Sequence, residues 1–171
     1  MVAQQARFFM DDIAVLNYAL TLEHLENVFY RMVNASGRLQ GNAASYFRTI
    51  GAHELAHVNA LTAAIRMNGG TPATEMARYN FAPLGDMNTV AGILAIANVL
   101  EPTGVRAYDG AAKEIRNKAF LTVAGQIVQV EARHAAIIKV LIDPNTNPVP
   151  LAFEGMSTPQ QILAAIMPII S

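Results

Sequence analysis

A chain of 171 residues has room for one domain built around one sizeable core. It is 53% hydrophobic and only 15% charged, with a net charge of −1 and no basic block, so nucleic-acid binding has no electrostatic footprint, and either the core is large for the length or some apolar surface meets a partner. Cysteine is absent, which excludes thiolate zinc sites, iron–sulfur clusters and disulfides.

The first twelve residues, MVAQQARFFMDD, lack the apolar stretch of a signal peptide. The sequence therefore reads as cytoplasmic, or as exported if a signal has been removed. A first helix is predicted from Asp11–Asp12 to Asn34, with acids in its first turn and Ala35-Ser36-Gly37 to end it. Its inward face reads Ile13, Leu16, Leu20, Glu23, Asn27, Tyr30. A second helix is predicted from Asn42, as N-cap, to Asn68, before Gly69-Gly70. Its face carries Phe47, Ile50, Glu54, His57, Leu61 and Ile65.

Residues 69–86, with Pro72 and Pro83, read as a connection. That length suits a crossover along a bundle, which sets the third helix parallel to the second. The third helix is expected from Asp86, as N-cap, to about Arg116. Its face holds Val90, Leu94, Ala97, Glu101, Val105 and Tyr108. The longest apolar run, Thr89 to Leu100, is too short to span a bilayer and meets Glu101, so no integral membrane segment is expected. A fourth helix, Ala119 to Ile142, carries Ile127, Glu131, His134 and Ile138 and stops at Asp143-Pro144. The tail, 143–171, is extended at first. Thr158-Pro159-Gln160-Gln161 then has the order N-cap, proline at N1 and glutamine at N3, and a short apolar helix from Ile162 to Ile170 should follow. The prediction is a single all-α domain over residues 1–171: a four-helix bundle over about 11–142, a long crossover between its second and third helices, and a short C-terminal helix.

One pattern occurs twice on these faces. Glu23 and Glu101, Tyr30 and Tyr108, stand 78 residues apart, and Glu54 and Glu131, His57 and His134, stand 77 apart. Three residues along a helix subtend about 300°, so each Glu-x-x-His pair points to one side, about 4.5 Å apart along the axis. Ionised glutamates in an apolar core are costly, and four would repel one another. Two divalent cations would neutralise them, with two imidazoles as neutral ligands. Glu23 and Glu101 are expected as terminal ligands, Glu54 and Glu131 as bridges, and the oxygen and imidazole donors suit iron or manganese. The alternative is a bundle that pairs the same residues through buried hydrogen bonds around protons or water.

Tyr30 and Tyr108 lie on the stripes of Glu23 and Glu101, about 10 Å further along. Their expected role is a hydrogen bond to a carboxylate on a facing helix, or electron and proton donation during oxidation. Residues 53–57, His-Glu-Leu-Ala-His, also match the zinc-protease pattern, with His53 and His57 as ligands and Glu54 as base. That reading would leave Glu23, Glu101 and the second Glu-x-x-His buried and unexplained. His53 and His24 are expected beside the stripe. The other acids, Glu26 among them, are expected outside the core and mark no route for ions. Pro102, directly after Glu101, frees the Asn98 carbonyl; it is either a kink absorbed by packing or a widening beside the ligand.

With these residues the chain resembles the ferritin-like superfamily. DDIAVLNYALTLEHLENVFY, GAHELAHVNAL, LEPTGVRAYDGAA and VEARHAAIIKVL resemble the four helices of one branch, the ferritin-like domain of plant and bacterial desiccation-related proteins, and NPVPLAFEGMSTPQQILAAIMPII resembles that branch's tail. The likeness covers about residues 10–170 and implies a dinuclear carboxylate bundle. Haem is not expected, since Leu55-Ala56 stands where bacterioferritin carries its haem-ligating methionine. A homodimer or small homo-oligomer is expected in place of a mineral-storing shell. The expected chemistry is oxidation by O₂ or peroxide, ferroxidase- or peroxidase-like, in stress or desiccation protection. A small apolar substrate would need a pocket, which the Ala- and Val-rich third and fourth helices could line. The other classes are metal binding without turnover and a structural bundle that protects during drying.

Overall fold

The computed structural model describes residues 7–170. Residues 1–6 and 171, with half of the stretch read for a signal peptide, lie outside the described residues. Among those described there are five helices and no strand: α1 (Asp12–Ser36), α2 (Gly41–Met67), α3 (Val90–Ala112), α4 (Lys118–Ile142) and α5 (Pro159–Ile170).

Local chemistry sets the ends. The Asp11 carboxylate accepts from the Ala14 N–H at 2.8 Å and caps α1, and Gly37, at φ 65°, turns the chain out after Ser36, two residues beyond Asn34. The cap of α2 is Gln40, not Asn42, because the Gln40 amide ties back to the Gly37 carbonyl at 3.0 Å and tightens the turn. Thr89, not Asp86, caps α3 through the Gly92 N–H at 3.0 Å, while Asp86 closes the preceding turn through the Asn88 N–H at 2.8 Å. The third helix stops at Ala112, short of Arg116, because Asp12 accepts the N–H groups of Arg116 and Asn117, each at 2.8 Å. Asn117 then caps α4 through Ala119. Thr158 and Gln161 bond reciprocally, so α5 begins at the expected N1 proline, Pro159, and the apolar run from Ile162 continues it.

Cross-helix contacts fix the directions. Asn34 meets Phe47 and Glu23 meets His57, so α1 and α2 are antiparallel. Tyr30 meets Glu101 and Tyr108 meets Glu23, so α1 and α3 are antiparallel and α2 and α3 run parallel. The crossover that permits this lies along α1. Asn17 holds Thr71 and Ala73, His24 holds the Ala73 carbonyl, and Arg31 forks onto Glu75. The tail packs on α3, where Ser157 donates to the Arg106 carbonyl, and Asn80 of the crossover donates to Ile169 of α5.

Two apolar clusters fill the bundle. One contains Phe29, Tyr30, Phe47, Ile93, Ile96 and Ile138; the other Leu20, Leu61, Ile65, Tyr108 and Ile127. A polar layer lies between them. By length and composition α3 is apolar enough to cross a membrane, but 56% of its apolar window is buried within the bundle.

Candidate metal centre

The polar layer takes one glutamate from each bundle helix. Glu23, Glu54, Glu101 and Glu131 are 0% exposed, and His57 and His134 are buried beside them. His57 Nδ1 lies 3.0 Å from Glu131, 3.2 Å from Glu23 and 3.4 Å from Glu54. His134 Nδ1 lies 3.0 Å from Glu54, 3.2 Å from Glu101 and 3.7 Å from Glu131.

One ring nitrogen has at most one hydrogen to give, so three carboxylates converging on it cannot all be satisfied. Both oxygens of Glu54 and Glu131, one of Glu101, and His134 Nδ1 have no hydrogen-bond partner. Unsatisfied polar atoms in an apolar interior are costly, and a cation at their centre would satisfy them. Two groups, Glu23–Glu54–His57–Glu131 and Glu54–Glu101–Glu131–His134, are compact enough to hold a metal ion, and they share Glu54 and Glu131. The donor set therefore fits a metal.

Without metal the cluster holds protons. Burial pushes Glu23 up, Glu54 to about 7 and Glu101 to about 8, and the charge of Glu131 adds to each. Burial also raises Glu131, but the rings of His134 and His57 beside it outweigh that and bring this carboxyl down to about 2. For His57 and His134 burial favours the neutral ring, yet the surrounding carboxylates prevail and push both up to about 12. Metal ions would displace these protons.

A second ring of side chains holds the first. The Tyr30 hydroxyl donates to Glu101, and the Tyr108 hydroxyl donates to Glu23. His53 does not converge with His57 as a zinc-protease ligand would. Its Nδ1 stands 2.9 Å from Nε2 of His134, with the two rings stacked at 5.2 Å. That contact leaves Nδ1 of His134 to face the carboxylates. His24 turns away to the Ala73 carbonyl. Pro102 lies within an unbroken α3. Glu26 departs from its expected place outside the core: it is 3% exposed and sits among the cluster glutamates. The signal for it was present, since it follows Glu23 by the same three residues that separate each Glu from its His.

An apolar cavity of about 20 Å³, room for one water-sized molecule, adjoins Tyr108. Leu16, Ala19 and Leu22 of α1 and Ala107 and Ala111 of α3 line it, with only Ala124 from α4, so the third and fourth helices alone do not form it.

A family model described as a ferritin-like domain matches residues 11–144, the span from α1 to the end of α4. No curated protein matches the chain.

Proposed function

The chain belongs to the ferritin-like domain family, and from that premise we propose that it is a di-metal carboxylate protein carrying out oxidoreductase chemistry on O₂ or peroxide. The carrying observation is the pair of overlapping clusters that share two fully buried, unpartnered glutamates. Two iron or manganese ions, when bound, would supply one-electron redox capacity and open positions for the oxidant.

The protein's part is positioning and charge. Glu54 and Glu131, which belong to both clusters, would hold both ions, and Glu23 and Glu101 would each hold one. His57 and His134 would offer Nδ1 as neutral ligands once the ions displace their protons, and His53 fixes which nitrogen of His134 faces inward. Tyr30 and Tyr108 hold the outer oxygens of Glu101 and Glu23 and are the nearest phenols for electron and proton donation. The small apolar cavity beside Tyr108 suits O₂ or peroxide better than an organic substrate. The helix segments and tail that resemble desiccation-related proteins support a protective, ferroxidase- or peroxidase-like role.

The complete burial of the four glutamates favours a second reading, in which the metal only holds the fold. Metal analysis of natively purified protein tests the first step: about two Fe or Mn per chain, lost in Glu54→Ala with Glu131→Ala, is expected. Protein that takes up neither metal under anaerobic Fe²⁺ or Mn²⁺ overturns the proposal. Oxidation of Fe²⁺ by O₂, or turnover of peroxide, by the loaded protein separates catalysis from the structural reading.

A further inference from the structure

The two halves of the bundle meet with approximate two-fold symmetry. Tyr30 reaches Glu101 as Tyr108 reaches Glu23, and each histidine faces three carboxylates. The offset of 78 residues that relates Glu23 to Glu101 also relates Glu26 to Gly104. At that pair the symmetry fails: one half carries a carboxylate one turn beyond its ligand, and the other carries no side chain at all.

The two departures fit each other. A methyl group at Gly104 would lie 3.2 Å and 3.6 Å from the two oxygens of Glu26, and 3.5 Å from Glu131. The Glu26 carboxylate thus packs against the bare face of α3 at Gly104, near Glu131, a member of both clusters. Among the described residues no cation lies within salt-bridge reach of Glu26. Burial raises it well above the ordinary carboxylate range, and Glu131, Glu101, Glu54 and Glu23 raise it further. An ionised Glu26 among four other carboxylates would be costly without a cation beside it.

Resting on the metal-binding reading above, we infer that Glu26 is an additional, unsymmetric metal ligand, reaching the cation beside Glu131 across the notch at Gly104. It makes the two metal positions unequal. Four carboxylates balance two divalent ions, and a fifth matches a pair in which one ion is trivalent, so Glu26 favours the oxidised state of its own position.

Calorimetric titration of metal-free protein with Mn²⁺, repeated with Co²⁺ while following visible absorption, tests this in Glu26→Gln. The expected result is one ion bound about 10- to 100-fold more weakly, with the other unchanged and the Co²⁺ spectrum altered. Gly104→Ala, which crowds the notch, should weaken the same ion, and Gly125→Ala, where an added Cβ meets nothing within 4 Å, should leave both unchanged. Metal-free Glu26→Gln should melt no lower than the parent, since it removes a buried acid. If the parent binds two ions and Glu26→Gln binds both with parental affinity and spectrum, Glu26 is no ligand and the inference fails alone. If the parent binds none, the metal-binding reading fails with it.

Discussion

The hydroxyl of Tyr30 on α1 donates to Glu101 on α3, not to Glu23 of its own helix. Two turns separate Tyr30 from Glu23, too far along the axis for a phenol to return to it. The bond therefore joins the two halves of the bundle at the layer of buried glutamates, and Tyr108 to Glu23 does so in the opposite direction. Tyr30→Phe should remove the partner of one Glu101 oxygen and weaken the ion on the Glu101–His134 side by about 10-fold. Tyr108→Phe should weaken the other. Titration of both single variants and the double variant checks this, and equal weakening of both ions by one substitution would contradict it.

Stability of the metal-free chain should fall as pH rises. Glu54 and Glu101 stand at about 7 and about 8 in the fold, above their ordinary 4.5. A carboxyl raised on folding favours the folded state while protonated, so that contribution is whole below about 4.5 and is lost as pH climbs through 7 to 8. His57 and His134, raised from 6.5 to about 12, likewise lose their contribution as pH rises beyond 6.5. Glu131, lowered to about 2, acts the other way and loses its contribution only toward strong acid. Melting in chelator should therefore show a lower Tm at about pH 9 than at about pH 5. Added Mn²⁺ should reverse the slope, because metal competes better as protons become scarce, and at about 100 times Kd one ion adds about 2.7 kcal/mol.

His53 and His24 give opposite readouts. His53→Ala frees the His134 ring and should reduce metal affinity about 10- to 100-fold with little change in the Tm of the metal-free chain. His24→Ala removes a hydrogen bond to Ala73 and should lower Tm with both ions still bound. Paired titrations and melts decide, and loss of metal in His24→Ala alone would contradict the assignment.

Asn17 anchors the crossover with two hydrogen bonds, one from its amide to Thr71 and one from the Ala73 N–H to its carbonyl oxygen. Asn17→Ala should cost about 1–3 kcal/mol. It should also speed trypsin cleavage after the exposed Arg78 while metal stoichiometry stays unchanged. Timed digestion followed by mass spectrometry reads the cut.

The fold was legible because helical periodicity turns spacing into faces: the stripes that carry the four glutamates, and the long link after Asn68, lead to the observed bundle and crossover. Helix ends were less legible. Asn42 and Asp86 are sound cap residues, but Gln40, Thr89 and the long-range grip of Asp12 on Arg116 and Asn117 decided the starts and stops, and only the last of these depends on packing far away in sequence. His53 lies on the exposed flank of α2, and its partner His134 is on another helix, so no spacing within one helix reports their contact. Glu26 was readable from its three-residue spacing to Glu23, and its fit becomes plain only when Gly104 is set against it.

The crossover lies outside the polar layer and supplies none of its six glutamate and histidine donors. Glu23, Glu54 and His57 come from the hairpin before it; Glu101, Glu131 and His134 come from the hairpin after it. The centre is thus an interface between two half-molecules that happen to share a backbone. Nicked at Arg78, the halves would remain a heterodimer cemented by the ions, and the chain's continuity would matter for the speed with which the halves find each other more than for the strength with which they hold.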